Sequence, residues 1–320
     1  MVMPPQDLLT TPVPTWVPWP EDAADDAAVA AGQAVGAEVA HWLAQAERAT
    51  HAHAGGQLVA HRWVPAQRNG QAPVVLLHGG SGSWTHWVRS ISPLTDAGHE
   101  VWAIDLPGFG ASDGIPGVHD ADGLLPTLAE ALQTWLPLQA VQLVGFSFGG
   151  MTAGMLTAAY PHLVQQLVLV GAPGLGLQTP PRTPLKGWRH LPTPRAQLAH
   201  HVFNLAALML HHPERIDRDT VALHVTHVRR DRLPRRRISS TGILVQSLAQ
   251  VTCPVTAIYG AHDVLFPGML DQVAAAMAAA AHDFRGLHPI ADAGHWVQYE
   301  EPAAFHAVLL PALAAPEGTR

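Results

Sequence analysis

A serine framed by glycines has the clearest chemical meaning in this sequence. It lies in the run 145–150, Gly-Phe-Ser-Phe-Gly-Gly, between an apolar stretch typical of a buried strand and one typical of a helix. A nucleophilic serine on such a sharp turn has a strained backbone that lifts its hydroxyl above the sheet, so residues two positions away must lack bulk. Gly145 and Gly149 meet that requirement, and the run therefore predicts Ser147 as a nucleophile.

A base and an acid must activate this serine, because an unassisted hydroxyl is a weak nucleophile. After a turn of this kind the expected chain order is serine, acid, histidine. His295 lies in a loop of small residues between the last predicted strand and the last predicted helix, and is the expected base. Asp263 follows the apolar strand 254–260 and is the expected acid, with Asp292 as the alternative.

Two backbone N–H groups are expected to stabilise the oxyanion of an acyl-transfer reaction. One belongs to Phe148, at the start of a helix whose positive dipole end points to the serine. The other is placed in the loop after the strand 74–77, where Gly80 is the first choice and Ser81 the alternative. Asp105 is expected to hold neighbouring loops together instead of taking part in the chemistry.

The walls of a substrate pocket are predicted from residues close to these motifs in sequence. Such residues are mostly apolar and would suit an apolar acyl or alcohol group. For each aromatic residue among them, packing in the core is the alternative. The predicted pocket residues are Ser81, Trp84, Trp87, Phe146, Phe148, Leu265, Phe266 and Trp296.

Alternating strands and helices would position these residues. Helix-compatible stretches, including the alanine-rich 23–49, alternate with strand-like runs at 58–64, 74–77, 101–105, 141–145, 166–171, 254–260 and 284–289. This alternation predicts an α/β fold with a mostly parallel central sheet and helices on both faces. Functional groups of such folds collect at the carboxyl ends of the strands, where Ser147, Asp263 and His295 would meet.

The alternation is interrupted between residues 174 and 248. A stretch rich in proline and glycine leads there into helical segments that carry most of the arginines. The sequence therefore predicts three parts, which are a proline-rich arm at 1–22, a core made of 23–173 and 249–320, and a helical lid, or cap, at 174–248 over one end of the sheet.

Charge is divided unevenly along the chain. The net charge is −7, but residues 182–237 hold 12 basic and four acidic side chains, about +8, which leaves about −15 for the remainder. Such a segment suggests a module that rests on an acidic body or a funnel for anionic substrates, and a solvated helical face is the simpler alternative. The acidic overall balance argues against nucleic-acid binding.

Composition excludes several other classes of protein. With 48% hydrophobic and 13% charged residues the chain is not typical of a disordered protein, and no apolar run is long enough to cross a bilayer. The single cysteine, Cys253, excludes an internal disulfide and a multi-cysteine zinc cluster. The N-terminus lacks a secretory pattern, so a cytoplasmic globular protein without a membrane partner is expected.

The combined motifs resemble those of the α/β-hydrolase superfamily, in its lidded branch. The residues that carry the resemblance are His78-Gly79-Gly80, 105–110, 145–150, 260–263 and Gly294-His295. The resemblance implies a triad of Ser147, His295 and Asp263, a helical lid after the sixth strand, and no metal or organic cofactor. A serine at the position of the nucleophile argues against haloalkane dehalogenase and epoxide hydrolase chemistry, because those enzymes use a carboxylate as the nucleophile.

The expected function is hydrolysis of a small to medium carboxylic ester, anionic esters included, through an acyl-enzyme. Residues 171–176 also resemble carbon–carbon bond hydrolases that act on aromatic ring-cleavage products, whose anionic substrates would suit the arginines. Those enzymes carry an asparagine where this chain has Phe146. They also carry a polar residue after the oxyanion loop, and this chain has the residues 84–87 in that region instead. Amidase, lactonase or thioesterase activity, and a non-catalytic ligand-binding role, are further alternatives.

Overall fold

A single sheet organises the computed structural model, which describes residues 17–233 and 235–314. Its strands are β1 (Glu47–His53), β2 (Gly56–Trp63), β3 (Val74–Leu77), β4 (Val101–Asp105), β5 (Val141–Phe146), β6 (Val164–Val170), β7 (Val255–Gly260) and β8 (Phe284–Ile290). They lie in the order β1-β2-β4-β3-β5-β6-β7-β8. β2 is antiparallel to both of its neighbours, and the other pairs are parallel. Most of the predicted arm, up to residue 16, lies outside the described residues.

Helices cover both faces of this sheet. In the described ranges they are α1 (Ala23–Ala30), α2 (Ala37–Gln45), α3 (Ile91–Asp96), α4 (Leu125–Trp135), α5 (Phe148–Ala159), α6 (Pro194–Leu208), α7 (Arg218–Arg229), α8 (Ile243–Leu248), α9 (Leu270–Ala280), α10 (Val297–Glu300) and α11 (Pro302–Leu313). None of the described helices is long and apolar enough to cross a membrane.

Two apolar clusters, one on each face, hold the helices to the sheet. Within β3, Val75 and Leu77 belong to the cluster under α4, α5, α8 and α9, whereas Val74 and Leu76 belong to the cluster under α3 and α11. All four side chains are buried, because successive residues of a strand point to opposite faces and both faces are covered. This arrangement confirms the predicted α/β fold.

The stretch 23–49 differs from its predicted single helical segment. It forms α1, α2 and the first three residues of the edge strand β1. Gly32 ends the first helix with a φ of +69°, a left-handed conformation that favours glycine. β1 alternates charged, polar and small residues and lies half exposed at the edge of the sheet, paired only with β2, so its sequence lacks the apolar signal of the central strands.

Residues 174–248, here called the inserted segment, carry α6, α7 and α8. Three of its arginines form ion pairs with carboxylates that lie before or after the segment in the sequence. The pairs are Asp26–Arg195, Asp25–Arg218 and Glu301–Arg215. α1 packs against both α6 and α7. Of the three interpretations of the basic segment, these contacts favour a module that rests on an acidic body.

Several buried histidines make the stability of the fold depend on pH. Burial lowers the pKa of His61, His78, His224 and His306 to about 4, and that of His201 to about 2. Between pH 6.5 and about 4 the unfolded chain therefore binds more protons than the folded one, and the free energy of unfolding falls as the pH is lowered.

This pH dependence is measurable by urea unfolding at pH 7.5, 6.5 and 5.5. We expect the urea midpoint to decrease steadily below pH 6.5, and we expect His306→Gln to flatten the decrease because one histidine that must stay neutral is removed. A midpoint that stays constant over this range would contradict the prediction.

Candidate active site

Ser147 lies at the junction of β5 and α5, with a φ of +50° and a ψ of −119°. Its N–H donates to the carbonyl of Val170 at 2.7 Å. The glycines around it are required by space, because a Cβ on Gly145 would lie 2.4 Å from the carbonyl oxygen of Gly149, and a Cβ on Gly149 would lie 2.3 Å from that of His78. The strained turn predicted from the sequence is therefore present.

The three side chains predicted to act together form one hydrogen-bonded chain. Nε2 of His295 lies 2.8 Å from Oγ of Ser147, and its Nδ1 lies 2.8 Å from Oδ2 of Asp263. A carboxylate accepts only, so Nδ1 carries the proton and Nε2 is free to accept the serine proton. Oδ1 of Asp263 accepts the N–H of Leu265 at 2.9 Å, which fixes the carboxylate.

The alternative acid, Asp292, has an exposed side chain. It belongs to the loop before His295 and has a φ of +55°. The partner of the imidazole is instead Asp263, which is 1% exposed at the carboxyl end of β7. A buried carboxylate beside Nδ1 is the arrangement that holds an imidazole in the tautomer needed for a base.

Two buried histidines fix the loop that contains Gly80. His78 Nδ1 lies 2.7 Å from the carbonyl oxygen of Gly79, and its Nε2 accepts the N–H of Leu106 at 2.9 Å, so the proton is on Nδ1. His86 Nδ1 accepts the N–H of Gly79 at 3.1 Å. Both peptide planes of Gly79 are thereby held, including the plane that carries the N–H of Gly80.

The N–H groups of Gly80 and Phe148 have no acceptor among the described residues. Both residues line the same cavity as Ser147. Free N–H groups in such a position suit an oxyanion, and Phe148 adds the positive end of the α5 dipole. Asp105 holds neighbouring loops, since it accepts the N–H groups of Trp84 at 2.6 Å and Ala111 at 2.8 Å.

A cavity of about 390 Å³ opens above the serine. Its walls come from the loops around the serine and from the inserted segment. Five of the predicted pocket residues line it, namely Ser81, Phe146, Phe148, Leu265 and Phe266.

The prediction of pocket walls was wrong for Trp84 and Trp296, and also for Trp87; all three are buried away from the cavity. Trp84 packs between His61 and Trp63. Trp296 stacks on Tyr299, and its Nε1 donates to the carbonyl of His86. Proximity in sequence did not reveal that these indoles point towards the core.

Two arginines of the cavity could not be assigned from the sequence. Arg236 donates to both oxygens of Asp231, at 2.9 and 3.0 Å, and its Nη2 lies 3.2 Å from Oγ of Ser81. Its guanidinium also lies over the ring of Phe148. Arg182 is exposed at the cavity wall. The sequence signal was the run of basic residues in the inserted segment, which does not say which of them turns inwards.

The arrangement can support nucleophilic acyl chemistry. It contains a serine hydroxyl within hydrogen-bonding distance of an imidazole, a buried carboxylate that holds the imidazole, and two N–H groups without an acceptor among the described residues. Within residues 17–233 and 235–314 no group of three or more His, Cys, Asp or Glu side chains is arranged to hold a metal ion.

Comparisons with known proteins identify the family to which the fold belongs. The family model described as the alpha/beta hydrolase fold matches residues 72–197. A 2-hydroxy-6-oxononadienedioate/2-hydroxy-6-oxononatrienedioate hydrolase from Escherichia coli O139:H28 is 30% identical over 263 residues, which cover 77% of this chain and 88% of that protein. One of the same name from Klebsiella pneumoniae is 27% identical, with the same coverage of each chain.

Solved structures show the same fold. An esterase from Mycobacterium tuberculosis superposes with a TM-score of 0.62 at 24% identity, over 91% of this chain and 96% of that one. A meta-cleavage product hydrolase from Pseudomonas fluorescens superposes with a TM-score of 0.63 at 20% identity, over 80% and 94%.

The fold and the matched relatives define a hydrolase. This chain belongs to the α/β-hydrolase superfamily.

Proposed function

We propose that this hydrolase cleaves carboxylic esters through an acyl-enzyme on Ser147. The observation that carries the proposal is the continuous hydrogen-bonded chain from Ser147 Oγ through His295 to Asp263, on a strained turn at the floor of a cavity. This series of hydrogen bonds supports the proposal, because acyl transfer needs a nucleophile, a base that accepts its proton and an acid that orients the base.

In the proposed reaction, Oγ of Ser147 attacks the ester carbonyl carbon while Nε2 of His295 takes the hydroxyl proton. The resulting oxyanion accepts hydrogen bonds from the N–H groups of Gly80 and Phe148. His295 returns the proton to the leaving alkoxide as the C–O bond breaks, which leaves an acyl-enzyme and an alcohol. Water then attacks the acyl carbon with His295 again as base, and releases the carboxylic acid.

We also propose that the substrate carries an anionic group. Arg236 lies beside the proposed oxyanion site, where its Nη2 and Nε are 3.6 to 3.7 Å from the position of a Cβ on Gly80. Asp231 accepts hydrogen bonds from only one nitrogen of Arg236, Nη1. The Nε of Arg236 donates to none of the described residues. The edge formed by Nε and Nη2 therefore suits a carboxylate of the substrate.

Carbon–carbon bond hydrolysis is the second candidate. It is favoured by the relatives from Escherichia coli and Klebsiella pneumoniae, which are named as hydrolases of dienedioates and trienedioates. Phe146 precedes the serine, where the resemblance to carbon–carbon bond hydrolases implies an asparagine. Its ring is fully buried and contacts His295 and His86, so this position supplies packing and no polar group.

A panel of substrates distinguishes the two candidates. It contains nitrophenyl esters of graded acyl length, nitrophenyl monoesters of short dicarboxylic acids, and one ring-cleavage dienoate. The ester proposal predicts a higher kcat/KM for an ester than for the dienoate, together with covalent labelling of Ser147 by a fluorophosphonate. Absence of labelling would instead favour a ligand-binding protein without catalysis.

Arg236→Gln tests the anionic group. Losing a charge-assisted hydrogen bond costs about 1.5–3 kcal/mol, so kcat/KM for the dicarboxylic monoester should fall by about 10- to 100-fold. For a neutral butyrate ester we expect a change below about threefold, and added salt should slow only the acidic ester. The matched control is Arg235→Gln, because Arg235 is exposed and does not line the cavity. Equal losses on both esters would refute an anion site.

A further inference from the structure

The end of α6 and the residues after it touch both loops that hold the proposed acid and base. The N–H of Trp296 donates to the carbonyl of Met209 at 2.8 Å. The ring of His211 lies flat on that of His262, with centroids 3.7 Å apart and an interplanar angle of 4°. His262 directly precedes Asp263, so one short stretch of the inserted segment contacts the acid loop and the histidine loop together.

A single buried carboxylate joins these pieces. Oε2 of Glu300 accepts the N–H of Gly294 at 2.7 Å and that of His211 at 3.0 Å, and Oε1 accepts the N–H of His212 at 2.8 Å. Glu300 is 6% exposed. Three N–H donors on one carboxylate make a fixed junction, because each is charge-assisted and shielded from water.

The lack of space around Gly294 shows how closely the histidine loop approaches the backbone of His211. A Cβ on Gly294 would lie 2.6 Å from the backbone nitrogen of His211 and 3.2 Å from Oε2 of Glu300. Gly294 is the residue before His295, so its peptide unit sets the direction in which the imidazole leaves the backbone.

We propose that Glu300 is a positioning residue, which holds the histidine loop against residues 209–212 and so keeps His295 within hydrogen-bonding distance of Ser147. Leu208 and Met209 line the cavity, so this junction also links the substrate wall to the position of the base. The inference rests on the serine chemistry proposed above and adds a residue that touches no reacting atom.

Glu300→Gln is the direct test. The amide keeps the size of the side chain but has one acceptor oxygen, so its NH₂ group must face at least one of the three N–H donors. We expect kcat to fall by about 10- to 100-fold, since misplacing a reacting group by about 1 Å can cost about 10²-fold. KM should change by less than about threefold, because Glu300 does not line the cavity.

A fluorophosphonate separates this role from a merely structural one. Its rate of reaction with Ser147 depends on how well His295 activates the hydroxyl, and a small reagent needs few wall contacts. We expect the rate constant for labelling to fall with kcat in Glu300→Gln. The matched control is Glu301→Gln, which removes the neighbouring ion pair with Arg215 and should keep both rates within about twofold.

Two outcomes would overturn the proposal. One is a folded Glu300→Gln protein with kcat or the labelling rate constant within twofold of wild type. The other applies even if the variant does not fold, since in the wild-type protein the amides of His211, His212 and Gly294 should have similar protection factors against hydrogen exchange, each rate being divided by its intrinsic rate. Protection factors that differ by more than tenfold would show that no common junction exists. A wild-type protein that does not react with the fluorophosphonate would refute the serine chemistry instead.

Discussion

Replacing Ser147 by alanine should reduce ester hydrolysis by about 10³-fold or more, because the members of such a triad act as a unit. Alanine keeps the Cβ on the strained turn but removes the atom that would attack the carbonyl. The measurement is kcat/KM with the preferred nitrophenyl ester of the panel, together with loss of fluorophosphonate labelling.

Ser92→Ala is the matched control for this variant. Ser92 donates to Asp96 at 2.7 Å on α3, outside the cavity, and its removal should leave kcat/KM within about twofold. Activity of the Ser147→Ala protein close to that of wild type would remove the proposed nucleophile, while the α/β-hydrolase fold would still stand.

Asp263→Asn is expected to lower kcat by about 10³- to 10⁴-fold. The asparagine would turn its NH₂ towards Nδ1 of His295, which would then have to accept a hydrogen bond. The proton would move to Nε2, the atom that must accept the proton of Ser147. The measurement is kcat at a fixed pH near 7.5, with KM followed to separate the chemical step from binding.

Asp292→Asn decides between the two acids. Its side chain is exposed, so we expect kcat within about twofold of wild type. A large loss in Asp292→Asn with normal activity in Asp263→Asn would reverse the assignment of the acid and contradict the geometry of the site.

Short local patterns were sufficient to predict that the side chains of Ser147, Asp263 and His295 lie together. Ser147 and Asp263 each follow a buried apolar strand, His295 follows the last strand, and the carboxyl ends of parallel strands meet at one edge of the sheet. The two glycines at 145 and 149 are required by contacts within the same turn. Both kinds of information lie within a few residues of the motif, which is why the sequence reveals them.

Features that depend on distant contacts could not be predicted in the same way. Arg236 reaches the cavity because Asp231 and Ser81 hold it there, and Ser81 is 155 residues away. Trp84 and Trp296 lie near the motifs in sequence, but packing turns their rings into the core. No function could be predicted for Glu300 from the sequence. Its hydrogen-bond partners are backbone N–H groups, and these are present in residues of almost every type.

The docking of α1 on the inserted segment has a consequence for biosynthesis. Asp26 precedes its partner Arg195 by 169 residues, and Asp25 precedes Arg218 by 193. At about 5–20 residues per second, Arg195 is added to the chain roughly 8 to 34 seconds after Asp26, and Arg218 later still. Val29 and Ala30, both buried in the finished protein, have to stay uncovered on the nascent chain during that interval.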